Sequence, residues 1–321
     1  MLDRPAAIAK MNQWGGENRP FLFILDFEGN HNLIYSLDNI PANIKFELGG
    51  QPVFTSRKDG DFRFEATPVD FSTYDIAFQQ LLAELNYGNS YLVNLTFPTE
   101  LATSLDLPTI YQRSQARYKL LVIDKFVVFS PETFVRIRDQ KIYSYPMKGT
   151  IDADLPDAEK LILENPKEAA EHATIVDLIR NDLNRISENV RVERYRYVEK
   201  LETFRGSLLQ VSSEIVGDLS EDYASKLGTM IFSLLPAGSI SGAPKEKTVE
   251  IIKKAEIIDR GYFTGIFGVF DGNNLDSAVM IRFIEAVDDK LFFRSGGGIT
   301  AQSDVRSEYN EMIQKVYVPF I

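Results

Sequence analysis

The sequence predicts an α+β fold of large antiparallel β-sheets with helices segregated onto them. Three observations carry this. Strand-like runs lie side by side instead of alternating with helices, as in KLLVIDKFVVFSPETFVRIRDQKIYSYP at 119–146; runs of strands followed by runs of helices favour such a layout over a parallel βαβ sheet. The helical stretches are amphipathic, so each has one face to lay on a sheet. No Pro/Gly/Ser-rich linker cuts the 321 residues, 44% of them hydrophobic, so one compact domain over 1–321 is expected.

FLFILDF (21–27) and FRFEAT (62–67) read as strands. STYDIAFQQLLAELNY (72–87) reads as an amphipathic helix that Gly88-Asn89 stops. SYLVNLTFP (90–98) is a strand, followed by a short helix near 108–117 and the strand run already quoted. Helices near 155–163 and 166–184 precede strands over 191–216. Helices at 221–234 and 244–258, strands over 262–294 and a helix at 304–317 complete the order.

Composition excludes several functions. A net charge of −11 argues against nucleic acid as the main partner, although local cations can still hold a small anion. No apolar stretch is long enough to span a membrane, and MLDRPAAIAKMNQ lacks a signal core, so a cytoplasmic protein is expected. With no cysteine and only His31 and His172, thiol catalysis and a His-rich zinc site have no residues to use. Chemistry falls to carboxylates, lysines, arginines, tyrosines or an oxygen-bound metal.

Candidate residues follow. Lys148, in SYPMKGTID (144–152), sits at a strand-to-loop junction: Pro146 fits only the end or edge of a strand, and Gly149 lets the chain turn. A solvated lysine and an active-site lysine both fit that position. In the helix 166–184, Glu171, Ile175, Leu178 and Asp182 are spaced four, three and four, which puts Glu171 on the core-facing stripe. A carboxylate there needs a partner, either a buried arginine or a metal. Glu308 and Glu311 share one side of the last helix, either as a solvated pair or as ligands. If the three glutamates converge, oxygen ligands with several waters suit Mg²⁺. RSGGGIT (294–300) offers either a plain turn or an anion-binding nest. PAGSISGAPKEKTVEII (236–252) runs into a helix N-terminus that can meet an anion, but it is not a Walker A loop. AVMIRFIE (278–285) places Arg282 within an apolar strand, where a carboxylate would fit its fork.

Together these motifs, with SYLVNLTF, FSPETF, AEHATIVDLIRNDL, GGGITAQS and SEYNEM, resemble the chorismate-utilising enzymes, and within them the aminodeoxychorismate synthase component I branch. The resemblance covers roughly 70–320, with 1–70 as a reduced N-terminal portion that is expected to lack a tryptophan site. It implies two large sheets forming a sandwich core with helices outside. It also implies chorismate as substrate, Glu171 and Glu311 as Mg²⁺ ligands and Glu308 helping through water. Arg282 and the backbone of Gly297-Gly298 would hold the pyruvyl carboxylate, Ser241 and Lys245 would line the site, and Gly149-Thr150 would contact the substrate.

In this branch the lysine motif implies covalent catalysis. Lys148 would attack C2 as the C4 hydroxyl leaves, Glu132 would serve as acid and then base, and ammonia would attack C4 to give 4-amino-4-deoxychorismate. A free lysine titrates at about 10.4, and burial beside Mg²⁺ would lower that by roughly 3 units.

Three positions depart from relatives: Leu92 where isochorismate and salicylate synthases carry a water-activating lysine, Leu209 where many carry histidine, and Phe263 for a tyrosine. Without cysteine the chain cannot hold the amidotransferase half, so ammonia is expected from a separate glutaminase, with a PLP lyase acting downstream on the way to para-aminobenzoate and folate. Anthranilate synthase component I, or a non-catalytic chorismate-binding paralogue, are the competing expectations.

Overall fold

The computed structural model describes residues 1–50, 62–203 and 206–319, and no side chain over 201–206. In chain order the elements are α1 (Arg4–Gly16), β1 (Phe21–Leu25), β2 (Asn32–Ser36), β3 (Ile44–Glu47), β4 (Phe64–Pro68), α2 (Phe71–Tyr87), β5 (Leu92–Thr103), α3 (Leu107–Arg113), β6 (Tyr118–Val122), β7 (Phe126–Ser130), β8 (Thr133–Arg138), β9 (Lys141–Ser144) and β10 (Met147–Asp152). They continue with α4 (Ala158–Glu164), α5 (Pro166–Asn184), β11 (Glu188–Thr203), β12 (Gly206–Asp218), α6 (Leu227–Ser233), β13 (Gly242–Ala243), α7 (Lys245–Ala255), β14 (Ile266–Phe270), β15 (Leu275–Val279), β16 (Phe283–Val287), β17 (Lys290–Ile299) and α8 (Val305–Gln314).

Two antiparallel sheets organise the chain. One runs β10-β12-β9-β8-β15-β14-β1-β2, with β11 on β12; the other runs β13-β5-β17-β16-β7-β6-β3, with β4 on β5. Alternation along β1 shows how they pack. Phe21, Phe23 and Leu25 point into a core shared with α1, α2, α6 and α7, while Leu22 and Ile24 meet Leu120, Val122, Phe126 and Val128 of the second sheet. The period of two in a strand makes this two-sided burial possible. A third cluster lays Ile110 and Tyr111 of α3 on the outer face of β6 and β7. The expected sandwich with helices outside is therefore what the chain builds.

The described residues before 70 belong to this architecture. β1 and β2 extend the first sheet, β3 closes the second, and the Cβ that Gly228 of α6 lacks would lie 2.5 Å from the Ile8 carbonyl of α1. Helix α5 has the expected bounds, because Asn165 caps it through the N–H groups of Lys167 and Glu168 and Pro166 sits at its first position. Elsewhere the chain departs from expectation. The 191–216 region is a long hairpin of β11 and β12, and 221–234 divides into a 3₁₀ turn (Tyr223–Lys226) and the short α6. Among the described residues no helix is long and apolar enough to cross a membrane.

Candidate active site

Lys148 does not stand in a loop. β9 and β10 follow one another along a single edge of β12, separated only by Tyr145-Pro146. The missing N–H of Pro146 breaks the ladder, but its carbonyl accepts the Ser213 N–H at 3.0 Å and keeps the chain on β12. β10 then bulges: Met147 pairs with Ser212 but Thr150 with Gln210, so three steps on one strand oppose two on the other. The extra residue falls at Lys148-Gly149, and Gly149 accommodates it with φ +91°. Bulges re-aim side chains, and this one brings the Lys148 ammonium to 2.6 Å from Glu171 Oε2.

Glu171 therefore finds a lysine, not an arginine, with Lys167 a second cation at 3.8 Å. Desolvation pulls the Lys148 ammonium down, but the hydrogen bond and charge of Glu171, then the charges of Glu168 and Glu311, outweigh it and hold it above its ordinary value. The lowering expected from burial is thus overridden here. Glu168, which sequence reading missed, lies one turn before Glu171. Its Oε2 is buried without a hydrogen-bond partner, 3.2 Å from where a Cβ on Gly149 would stand.

The last helix supplies the opposing wall. Asp304 caps α8 through the Ser307 N–H. Glu308 is only 7% exposed and accepts the Ser303 hydroxyl at 2.8 Å; Glu311 pairs with Lys315 at 2.7 Å. Burial raises Glu308, and the nearby Glu311 adds to that against the pull of Ser303, Lys167 and Lys148. Burial also pushes Glu311 up, but Lys315 wins and holds it low. Lys315, also missed, reaches the Gly296 carbonyl at 2.8 Å; desolvation lowers it more than Glu311 raises it.

The glycine run is neither a turn nor a nest. Gly296, Gly297 and Gly298 are the end of β17, paired with Thr96, Leu95 and Asn94 of β5. A Cβ on Gly297 would lie 3.4 Å from Glu308 Oε2, 3.6 Å from Glu311 Oε1 and 3.7 Å from Lys315 Nζ, so this bare backbone forms the floor beneath those charges. Thr96 sends its N–H to Glu256 and Gly296 turns its carbonyl to Lys315, so they form a non-hydrogen-bonded pair. By the alternation of antiparallel ladders, Gly298 also turns its N–H and C=O outward. They face the open side of β17, past the point where β16 stops at Phe283 opposite Arg294.

Arg282 lies not in a strand but in the link by which the chain crosses from β15 of one sheet to β16 of the other, with φ +52°. Its guanidinium stacks on Tyr317 at 5.3 Å and makes no ion pair among the described residues, so its fork remains available. Glu132, between β7 and β8, accepts the Ser239 hydroxyl at 2.5 Å. Burial raises it, and Ser239, Arg282 and Lys315 pull it back without cancelling the rise. Beside it lies a small cleft lined by Glu132, Ser144, Tyr145, Pro146, Asp182, Ser239 and apolar side chains.

Not every expected residue joins this group. Ser241 is buried and donates to the Ala237 carbonyl at 2.8 Å. Lys245 donates to Asp182 Oδ2 and the Leu234 carbonyl, both at 2.8 Å. The protein itself satisfies these groups, so they pin the 234–245 loop behind the cleft instead of lining the site. Thr150 is exposed on β10. Of the departures, Leu92 covers Gly298, its Cδ1 3.0 Å from where a Cβ would be; Phe263 is buried beneath Arg294 and against Phe283; and Leu209 pairs with Ile151 on β12.

Residues 41–320 match the family of chorismate binding enzymes. The chain belongs to that family. It is 52% identical over 318 residues to an uncharacterised PabA-like protein of Pasteurella multocida, covering 98% of each chain. It is 30% identical to aminodeoxychorismate synthase component 1 of Bacillus subtilis, over 83% of this chain and 59% of that one. It is 29% identical to anthranilate synthase component 1 of Mycolicibacterium smegmatis, over 83% and 54%. In fold it resembles MenF, the menaquinone-specific isochorismate synthase of Escherichia coli, with a TM-score of 0.72 at 15% identity over 97% of this chain and 80% of that one. This is therefore a chorismate-utilising enzyme family member with the fold of its relatives.

A divalent cation fits this family site in part. Glu308 and Glu311 flank the same point above Gly297, and Glu168 leaves a buried oxygen unpaired. As the side chains stand, no three acids among the described residues are close enough to share one ion. Lysine ammonium groups hold two of the expected ligands, Lys148 on Glu171 and Lys315 on Glu311, and supply the positive charge those carboxylates require.

Proposed function

We propose that this protein is the aminating subunit of an aminodeoxychorismate synthase, converting chorismate and ammonia to 4-amino-4-deoxychorismate through a covalent bond to Lys148. The observation that carries this reading is the bulge that aims Lys148 into an acid-lined site. A lysine amine can act as a covalent nucleophile once it is deprotonated and faces the substrate. The departures at Leu92 and Leu209 support the same reading, since they remove the residues associated with water activation and with pyruvate loss in relatives.

In this mechanism Arg282 and the outward backbone of Gly298 hold the pyruvyl carboxylate, by charge-assisted hydrogen bonds. Glu171, Glu308 and Glu311 would hold Mg²⁺, which when bound supplies positive charge against the substrate's other carboxylate. Lys148 begins as an ammonium and must lose a proton before it attacks; the nearest acceptor is Glu171 at 2.6 Å. The Lys148 nitrogen then bonds to C2, both ring double bonds shift one place along the ring, and the C4–O bond breaks. Glu132, whose hold on its proton burial strengthens, gives that proton so that the hydroxyl leaves as water. Ammonia then bonds to C4 and the C2–N bond to Lys148 breaks, regenerating the lysine. Ammonia comes from a separate glutaminase subunit or from free ammonium, because this chain has no cysteine to hydrolyse glutamine; a PLP lyase would take the product on to para-aminobenzoate.

The test is to incubate the protein with chorismate, Mg²⁺ and ammonium and resolve the products by mass spectrometry against an ammonium-free control. The expected product keeps its pyruvyl group, carries an amine for the ring hydroxyl and needs ammonium. Anthranilate as the product would move the chain to the tryptophan branch, and binding without turnover would make it a chorismate-binding paralogue.

A further inference from the structure

We propose that His172 and Ser213 are positioning residues whose hydrogen bond fixes the β10 bulge and so aims Lys148. His172 is 1% exposed on α5, next in sequence to Glu171, and the mechanism above does not use it. Its Nε2 lies 2.7 Å from the Ser213 hydroxyl, and the Lys148 backbone lies beside the ring. Ser213 is fully buried on β12. Its Oγ already accepts the Arg196 N–H of β11 at 2.9 Å, leaving its one hydroxyl proton to donate to Nε2. Its own N–H holds the Pro146 carbonyl, the last bond before the bulge. One serine thus ties together β11, the start of β10 and, through His172, the helix that carries Glu171.

This arrangement answers a specific geometric need. A bulge is a local break in the ladder and lacks the pairing that fixes a regular strand. The Lys148–Glu171 ion pair alone leaves the long lysine side chain free to pivot, so the backbone at the bulge needs a fixed tie to α5. Displacing a reacting group by about 1 Å costs about 100-fold in rate. Substrate binding, assigned to Arg282 and the β17 backbone, is carried by other elements and should be little affected.

The inference rests on Lys148 being the nucleophile, so the test has one readout that depends on that and one that does not. His172→Gln places an amide at the Nε2 position and can keep the bond to Ser213; His172→Asn cannot reach it; Ser213→Ala removes the partner. For ammonium-dependent product formation, His172→Asn and Ser213→Ala should each lower kcat about 30- to 100-fold with KM for chorismate within a factor of about two, while His172→Gln recovers most of kcat. Lys148 labelling by pulsed acetylation, read by peptide mass spectrometry with no substrate present, should rise severalfold in the first two variants and stay near wild type in the third.

Should the wild type fail to aminate chorismate, the functional reading falls, and the labelling still decides the positioning role. Unchanged labelling and kcat in His172→Asn and Ser213→Ala would overturn the proposal. So would equal damage in all three variants, accompanied by a matching fall in thermal stability.

Discussion

Glu132→Gln should weaken catalysis and, above the raised pKa of this carboxyl, strengthen the fold, and the two effects share one cause. The Glu132 carboxyl sits deep among protein atoms, and burial raises its pKa against the opposing influence of Ser239, Arg282 and Lys315. Glutamine fills the same volume and keeps an oxygen to accept the Ser239 hydroxyl, but has no proton to deliver. Loss of a general acid should lower kcat by about 10²- to 10⁴-fold.

The stability effect has a definite sign. With the folded-state value above the ordinary one, the folded protein binds more protons than the unfolded chain between the two values. Stability therefore falls as pH rises through that window and stays reduced above it. Burying the charged form in place of an amide costs about 3 kcal/mol or more. The stronger hydrogen bond of a carboxylate offsets about 1 kcal/mol of that, and the charges of Arg282 and Lys315 offset part of the remainder. The net gain for glutamine is about 1 kcal/mol above the window and close to zero below it. For a chain of this size that is roughly a 2 °C rise in Tm on the alkaline side of the window, absent at about pH 4, below the ordinary carboxyl value. Thermal unfolding followed across pH, with product formation measured inside the window, where the folded protein still holds the proton, checks this. A Tm below wild type on the alkaline side of the window, or kcat above a tenth of wild type inside it, would refute the reasoning.

Three further predictions follow from the same geometry. Gly297→Ala sets a methyl group in ordinary contact with Glu308, Glu311 and Lys315 and takes up space on the floor of the site, so it should reduce turnover by about 10-fold or more by displacing the substrate, with little change in Tm; unaltered kinetics would remove Gly297 from the site. Lys245→Met leaves Asp182 buried without its partner and should cost about 3 kcal/mol in urea unfolding with KM for chorismate unchanged; a raised KM at unchanged stability would return Lys245 to the substrate. Removing divalent ions with EDTA should abolish product formation and Mg²⁺ should restore it, with Glu308→Gln needing about 10-fold more Mg²⁺; full activity in EDTA would exclude the metal.

How much of this was legible in the sequence depended on whether a residue's reason was local. Helix α5 was read at its observed bounds because its cap, its first-turn proline and its apolar spacing are all local signals. Gly296-Gly297-Gly298 misled because glycine marks turns more often than strands. Here its reason is close approach: a Cβ on Gly296 would lie 2.1 Å from the Leu95 carbonyl of the neighbouring strand. AVMIRFIE looked like one strand because an apolar run carries no mark of where the chain leaves one sheet for another, and Arg282 sits at that crossing. Lys148, Glu132, Glu171, Glu308 and Glu311 were found as members of motifs. Glu168 and Lys315 were not, although each stands a single helical turn from a residue that was. Lys245 and Ser241 were placed in the site by the family resemblance alone. Only the fold reveals Asp182 and the Ala237 carbonyl as their partners.

The most direct test of the central claim is to mix the protein with chorismate and Mg²⁺ without ammonium, quench, and map its peptides by mass spectrometry. The account predicts a mass of chorismate less one water on the peptide bearing Lys148, lost when ammonium is added and absent from Lys148→Ala. An ammonium-dependent product formed with no adduct on that peptide, and at an undiminished rate in Lys148→Ala, would contradict it.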